Sequence, residues 1–274
     1  MSRPFNTADK VLLREPLKQY IDVNTDLGQS QDTAVFSKDD YALLQYVSSV
    51  NLPCCVHDGN PLDIKQMIIR ATDNHCAIGA HIGLPDPVNY GYSMMDIADD
   101  ELAAWIHVQL GALSALMKEQ NLELNHVRPH GALYGVFIQD VNRARIVAQA
   151  VSKFSTWLPL IAPAGKILDT VHEEIGLTVV PEVYLGKRYG SNGMLLQDEF
   201  HHDLNAQGTL DQARQFIQDR KLTTADGKTL DVAYKTIHLS PRLENAPKVA
   251  EKMYHMLEKP VSLPVMSVGE SGWV

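Results

Sequence analysis

Short apolar runs alternate along this chain with longer stretches whose apolar positions recur at helical spacing. Residues 20–26, 48–54, 76–81, 126–134, 158–163, 177–184 and 235–240 read as strands. Between them, Ser37 and Asp40 are placed to cap a helix carrying Tyr41, Leu44 and Val47. Asn60 supplies an N-cap and Pro61 a first-turn proline ahead of Ile64, Met67, Ile68 and Ala71. The acidic residues Asp96, Asp99, Asp100 and Glu101 favour the start of the longest helix, whose stripe is Leu102, Trp105, Ile106, Leu113, Leu116 and Met117. Residues 141–154, 165–174 and 248–257 are further helices, and Thr209 with Gln212 forms a capping box before Ala213, Phe216 and Ile217.

Such alternation implies an α/β fold in which helices cover a parallel sheet. About seven units in one chain fit a single β/α barrel over residues 1–274 better than two domains. Residues 186–208, with their Gly and Asn, interrupt the pattern as a long loop or hairpin. There is no internal repeat and no low-complexity tract.

Composition narrows the class. The 274 residues are 45% hydrophobic and 21% charged, enough for a large core and against general disorder. Lys plus Arg is 24 against 33 Asp plus Glu, a net charge of −9, which argues against a nucleic-acid or anionic-membrane surface. No apolar run approaches the roughly 18 residues of a membrane span. The opening stretch has scattered charges and no apolar segment, so no secretory signal is expected. Three cysteines, Cys54, Cys55 and Cys76, suggest a reducing compartment, and the expectation is a cytoplasmic protein.

In a parallel barrel the chemistry gathers at the C-terminal ends of the strands. Four polar clusters fall there. In the first, Asp22, Asn24 and Asp26 share one strand face, where two carboxylates and an amide are costly unless they serve a metal, a substrate or one another. In the second, Cys54-Cys55-Val56-His57-Asp58-Gly59-Asn60-Pro61, His57 lies between a strand end and a helix start. The adjacent cysteines lack zinc-knuckle spacing and read as core residues. The third is Gly79-Ala80-His81-Ile82-Gly83-Leu84-Pro85-Asp86, where glycines flanking His81 allow close approach. The fourth is Arg128-Pro129-His130-Gly131-Ala132-Leu133-Tyr134. One such histidine is usually structural. Three after three strands, beside two aspartates, suit a divalent metal or proton transfer near neutral pH. His75, His107, His126 and His172 read as structural, His201-His202-Asp203 as a solvated loop, and Lys187 with Arg188 as a charged loop able to hold a carboxylate or phosphate.

In order and spacing these clusters resemble the LamB/YcsF (lactam-utilisation) family. The matching stretches are IDVNTDLG (21–28), the framework Asn51, Cys54, His57, Gly59 and Pro61, GAHIGLPD (79–86), QLGAL (109–113), RPHGALY (128–134), PLIAPAG (159–165), EVY (182–184) and TADG (224–227). The resemblance spans about residues 20–240. It implies an irregular, deacetylase-like barrel. It also implies hydrolytic opening of a small lactam such as 5-oxoproline to glutamate, with ATP used through the partner B and C subunits of 5-oxoprolinase. By the same analogy Asp26, His81 and His130 form a metal triad, Asp22 or His57 acts as general base or acid, and Asn24, Asn51, Asp58, Lys187 and Arg188 contact substrate.

The chain departs from the family pattern at reactive positions. Gln29 stands where Glu is usual, and Asp58 and Asn60 stand where Ala and Asp are usual. Tyr92, not Arg, follows Gly91. Gly186-Lys187 replaces Asp-Arg, and Ser240-Pro241-Arg242 replaces a late His-Gly-Asp. Acids and a histidine that proton transfer would use are lost. Two alternatives therefore stand beside the lactam reading: a free-standing metal-dependent amide or N-acetyl hydrolase, and a catalytically inactive ligand-binding barrel.

Overall fold

A computed structural model of the chain describes residues 21–29, 38–196 and 204–258. Seven parallel strands form a closed barrel: β1 (Asp22–Asp26), β2 (Ser49–Pro53), β3 (Ala77–Ile82), β4 (His126–Pro129), β5 (Leu160–Pro163), β6 (Val179–Tyr184) and β9 (Thr236–His238), which returns to β1. Between β6 and β9, β7 (Lys221–Thr223) and β8 (Thr229–Asp231) make a separate antiparallel hairpin that the sequence pattern did not signal. The helices are α1 (Lys38–Leu44), α2 (Pro61–Asp73), α3 (Asp99–Lys118), α4 (Gly131–Gln139), α5 (Val141–Phe154), α6 (Lys166–Ile175), α7 (Ala206–Arg214) and α8 (Ala246–Glu258). No helix among the described residues is long and apolar enough to cross a membrane.

Six barrel strands lie within the runs expected to form strands, β3 passes the end of its run by one residue, Ile82, and the larger differences have local causes. The run 126–134 stops as a strand at Pro129, and His130 becomes the N-cap of α4. Proline cannot continue the ladder, and Gly131 takes φ +52°. The same device ends β2 at Pro53 and β5 at Pro163, so three strands release the chain into the loops above the barrel. Helix α7 begins at Ala206, three residues before the expected box, because the Asn205 side chain accepts the Gly208 N–H. Thr209 is buried within the helix and donates to the Leu204 carbonyl. Asn60 caps α2 through the Leu62 N–H as expected. Within 186–208, Tyr189 and Leu195 form an isolated antiparallel bridge. Tyr20, Ser37 and His201-His202-Asp203 lie outside the described residues.

The main core sits between barrel and helices. Outward strand residues such as Val23, Val50, Leu52, Ile78, Ile82 and Val127 pack with Ile64, Met67, Ile106, Leu110, Val147 and Val151. Each such side chain contributes roughly 1.5–3 kcal/mol through burial. This shell frees the barrel interior for polar residues. Apart from the main core, Ile161 and Val180 pair across β5 and β6, on the same strand face of β6 as Glu182.

Candidate functional site

Strand alternation and register stack the inner side chains in layers. Near the N-terminal ends, β1 pairs Asp22 with Thr236 and Asn24 with Ser49. The Asp22 carboxylate accepts Ser48 and Ser49 hydroxyls at 2.6 and 2.5 Å and the Thr236 hydroxyl at 2.6 Å. Burial pushes its pKa up to about 6 despite those bonds. Asp22 is thus consumed at one end of β1, and its carboxylate oxygens have no place in the histidine group at the other.

The middle layer is a connected network. Asn24 donates to Glu182 and Thr236, and its carbonyl accepts from Asn51 at 2.8 Å. Asn51 also donates to Asp26 at 2.9 Å and faces His126 Nε2 at 2.7 Å. Arg128 grips Glu182 with Nε and Nη2 at 2.9 and 2.8 Å and reaches Asp26 at 3.4 Å, and the Tyr134 hydroxyl donates to Glu182 at 2.7 Å. Burial works against both charges, but Arg128 and Glu182 hold each other ionised. The expectation that His126 is structural agrees with these bonds. Asn24 and Asn51 belong to the same network.

At the C-terminal ends, Asp26, His81 and His130 converge. One donor atom from each lies within 4.8 Å of the others, the one such group of His, Cys, Asp or Glu among the described residues. His81 Nε2 is 3.3 Å from Asp26 Oδ2 and 2.9 Å from His130 Nδ1. The outer ring nitrogens assign the tautomers. His81 Nδ1 faces the Arg128 carbonyl at 3.2 Å and His130 Nε2 faces the Tyr90 carbonyl at 2.9 Å, so both must carry hydrogen. Their inner nitrogens then face each other, and His81 Nε2 faces a carboxylate. Burial opposes ionisation of Asp26, but His81, His238 and Arg128 outweigh it and hold the carboxyl well below the usual range. Burial, with His81 and His57 alongside, keeps His130 neutral. The buried carboxylates Asp26 and Glu182 face one guanidinium, Arg128, which leaves the group one cation short. Carboxylate and imidazole donors oriented by carbonyl acceptors fit a divalent cation.

Glycine makes this crowding possible. A Cβ at Gly79 would stand 2.1 Å from His126 Nε2, and one at Gly83 would stand 2.6 Å from His57 Nδ1. The two glycines flanking His81 therefore admit two further imidazoles. His57 stacks on His130 at 4.6 Å and 14°, fully buried, and neither ring nitrogen has a hydrogen-bond partner. Burial and then His81 push its pKa down to about 3, so it is neutral. With Asp58, Tyr90 and Pro61 it lines a cavity of about 310 Å³.

Other expected residues lie farther out. The Lys187 ammonium is 5.7 Å from the Tyr184 ring, which packs on His238 at 4.3 Å. Lys187 and Arg188 line a second cavity of about 420 Å³ beside α7. Gln29 brings its amide nitrogen to 3.5 Å from His130 Nδ1.

Sequence reasoning placed Arg128 and Tyr134 in the fourth cluster without a role, and missed Glu182 and His238. His238 Nδ1 faces the Asn24 carbonyl at 2.8 Å, while its buried Nε2 points at Asp26 Oδ2 from 3.5 Å without a hydrogen bond. The available signal was an isolated polar residue inside an apolar strand of a parallel sheet.

Comparisons with known proteins agree with this picture. The LamB/YcsF family pattern matches residues 21–266. The A subunit of 5-oxoprolinase from Chloroflexus aurantiacus is 34% identical over 220 residues, covering 79% of this chain and 86% of that protein. The A subunit of 5-oxoprolinase from Histophilus somni is 32% identical over 251 residues, covering 90% and 99%. The crystal structure of the lactam utilization protein from Thermus thermophilus superposes with a TM-score of 0.81 at 32% identity, over 90% of this chain and 99% of that one.

Proposed function

This chain belongs to the LamB/YcsF family, and from that premise we propose that it is a protein of the 5-oxoprolinase A-subunit type. In this reading it opens a small lactam such as 5-oxoproline to glutamate, with ATP spent through two partner subunits. The observation that carries the proposal is the convergence of Asp26 Oδ2, His81 Nε2 and His130 Nδ1 at the strand ends. Relatives that are named as one subunit of 5-oxoprolinase support the existence of partners.

Amide resonance makes a lactam a poor electrophile, and transfer of a phosphoryl group from ATP to its oxygen, releasing ADP, would make the carbonyl carbon open to water; breaking the C–N bond then leaves an acyl phosphate, from which a second water releases phosphate. Asp26, His81 and His130 would hold a divalent cation, which supplies Lewis-acid polarisation when bound. His57 is the residue placed to move protons. It is neutral, touches His130, and neither Nδ1 nor Nε2 is engaged in a hydrogen bond. It can take a proton from the attacking water and return one to the ring nitrogen as the C–N bond breaks. Asp22 has no part in this, because its oxygens are occupied by three hydroxyls.

The test is to mix the purified chain with its partner subunits, ATP and 5-oxoproline and to follow glutamate and ADP. Glutamate formation that needs every component, and that falls by about 100-fold or more in His57→Ala, supports the reading. Hydrolysis of amides or N-acetyl groups without ATP or partners would replace it with a free-standing hydrolase. Gln29 beside His130 favours a second reading, a ligand-binding barrel without turnover. Ligand-induced thermal stabilisation with no product would establish that one.

A further inference from the structure

The three cysteines part company in the structure. Cys54 and Cys76 are buried, with Cys54 Sγ turned to the Leu52 carbonyl and Cys76 Sγ to those of Leu44 and Val47, as core residues are. Cys55, expected to join them in the core, is exposed instead. Its backbone is left-handed, with φ +60°. That conformation costs a residue with a Cβ roughly 1–2 kcal/mol, a cost glycine does not carry. An exposed side chain recovers little of it through packing.

Cys55 lines the cavity of about 310 Å³ together with His57 and Tyr90. Tyr90 is left-handed as well, with φ +54°, so two of the six such non-glycine residues among the described residues line this one cavity. Strained backbone of this kind collects where a site is held in shape. The Tyr90 carbonyl holds His130 Nε2 at 2.9 Å, and His57 stacks on the same His130 ring. His57 is fully buried, and neither of its ring nitrogens has a hydrogen-bond partner. One cavity thus joins an exposed thiol to an unpaired imidazole.

We propose that Cys55 is a thiol-modification site, which takes one half of a low-molecular-weight disulfide into this cavity and closes off His57 while the adduct stays. The Cys55 thiol first gives its proton to solvent. The thiolate sulfur then attacks one sulfur of the disulfide. A new S–S bond forms as the old one breaks, and the other half leaves as a thiolate that takes up a proton. Cys55 is oxidised and the departing half is reduced, so the disulfide is the oxidant, and a free thiol reverses the step. Burial raises the Cys55 pKa, which keeps the thiolate fraction small and the exchange slow. The same shift makes Cys55 a poor leaving group, so the mixed disulfide persists once formed. The site itself is independent of the lactam reading, and only its effect on turnover rests on it.

The test treats the full chain with hydroxyethyl disulfide at about pH 8, alkylates the remaining thiols and maps the adduct by peptide mass. Cys55 should react at least about 10-fold faster than Cys54 and Cys76, and dithiothreitol should remove the adduct. In imidazole NMR spectra the His57 ring signals should move on modification. Those of His107 and His172, which bond to carbonyls on the outer helices and the loop after α6, should stay in place. Cys55→Gly suits the left-handed backbone, so it should fold as the wild type does, take no adduct and keep its His57 signals under the same treatment. Glutamate formation in the complete mixture should fall in proportion to the modified fraction of wild type and be unaffected in Cys55→Gly. An adduct that forms first on Cys54 or Cys76, or none at all, overturns the proposal. An adduct on Cys55 that leaves the His57 signals or an active mixture untouched overturns it as well. A wild type that makes no glutamate before treatment counts against the lactam reading alone, and the mass and NMR results still decide the site.

Discussion

Asp22 and Asp26 lie on one face of one strand, four residues apart, and their surroundings differ in kind. Around Asp22 and through the network of Asn24, Glu182 and Arg128, donors and acceptors match: three hydroxyls on one carboxylate, a guanidinium and a phenol on the other. Around Asp26, Asn51 and Arg128 donate to Oδ1, but at Oδ2 ring nitrogens crowd without matched partners: His81 Nε2 between the carboxylate and His130 Nδ1, His238 Nε2 pointing at it without a hydrogen bond, and His57 beside them with neither ring nitrogen paired. Both regions are buried, so burial does not tell structure from function here. Donor–acceptor balance does. A matched network stabilises the barrel, whereas buried lone pairs left facing one another cost free energy until a cation or a ligand answers them.

If the lower region is the structural half, breaking it should cost most. Arg128→Met removes the guanidinium shared by two buried carboxylates and leaves Glu182 with neutral donors alone. The expected loss is about 3–5 kcal/mol, read from urea denaturation. A loss below about 1 kcal/mol would dissolve the distinction between the two regions.

The next effect is the share of the pH dependence that Asp22 contributes. Its pKa rises from 3.8 to about 6 on folding because burial disfavours the charge. The folded state therefore holds the proton more tightly than the unfolded chain. That stabilisation is full below 3.8 and is lost as pH rises through about 6. Between about pH 4 and pH 7 the wild type should lose on the order of 3 kcal/mol relative to Asp22→Asn, which has no proton to release. Denaturation curves of the two proteins that stay parallel across this range would show that the hydroxyls fully offset the burial.

Much of this is legible in the amino-acid sequence. Short apolar runs between helical patterns mark the strands, three of them ending at proline, and the histidine at or just beyond a strand end, repeated three times, marks His57, His81 and His130. Alternation places Asp22 and Asp26 on one face, but it cannot say which end of a strand meets the ligand. That depends on register, which pairs Asp22 with Thr236 and Asp26 with Asn51. Register also explains the omissions. Glu182 and His238 enter the site because β6 and β9 close the barrel against β1, and single polar residues in short apolar runs carry no sign of such a partner. The start of helix α4 reads as strand because the apolar run continues through Gly131, where the backbone turns.

The smallest expected change in stability comes from the residue most central to the site. His130→Asn removes a lone pair aimed at His81 and can supply an amide N–H in its place. Against that gain stand the lost bond to the Tyr90 carbonyl and the ring contacts with His57 and Tyr92. The opposing terms are each on the order of 1 kcal/mol, so stability should shift by less than about 1 kcal/mol in either direction. Cation uptake should respond very differently. With one of three donors gone, affinity for cobalt(II), followed by its visible absorption, should fall by about 100-fold or more. A variant that holds cobalt as the wild type does would take His130 out of the donor set. A wild type that takes up no divalent cation would mean that a proton held between His81 and His130, not a metal, supplies the missing charge beside Asp26.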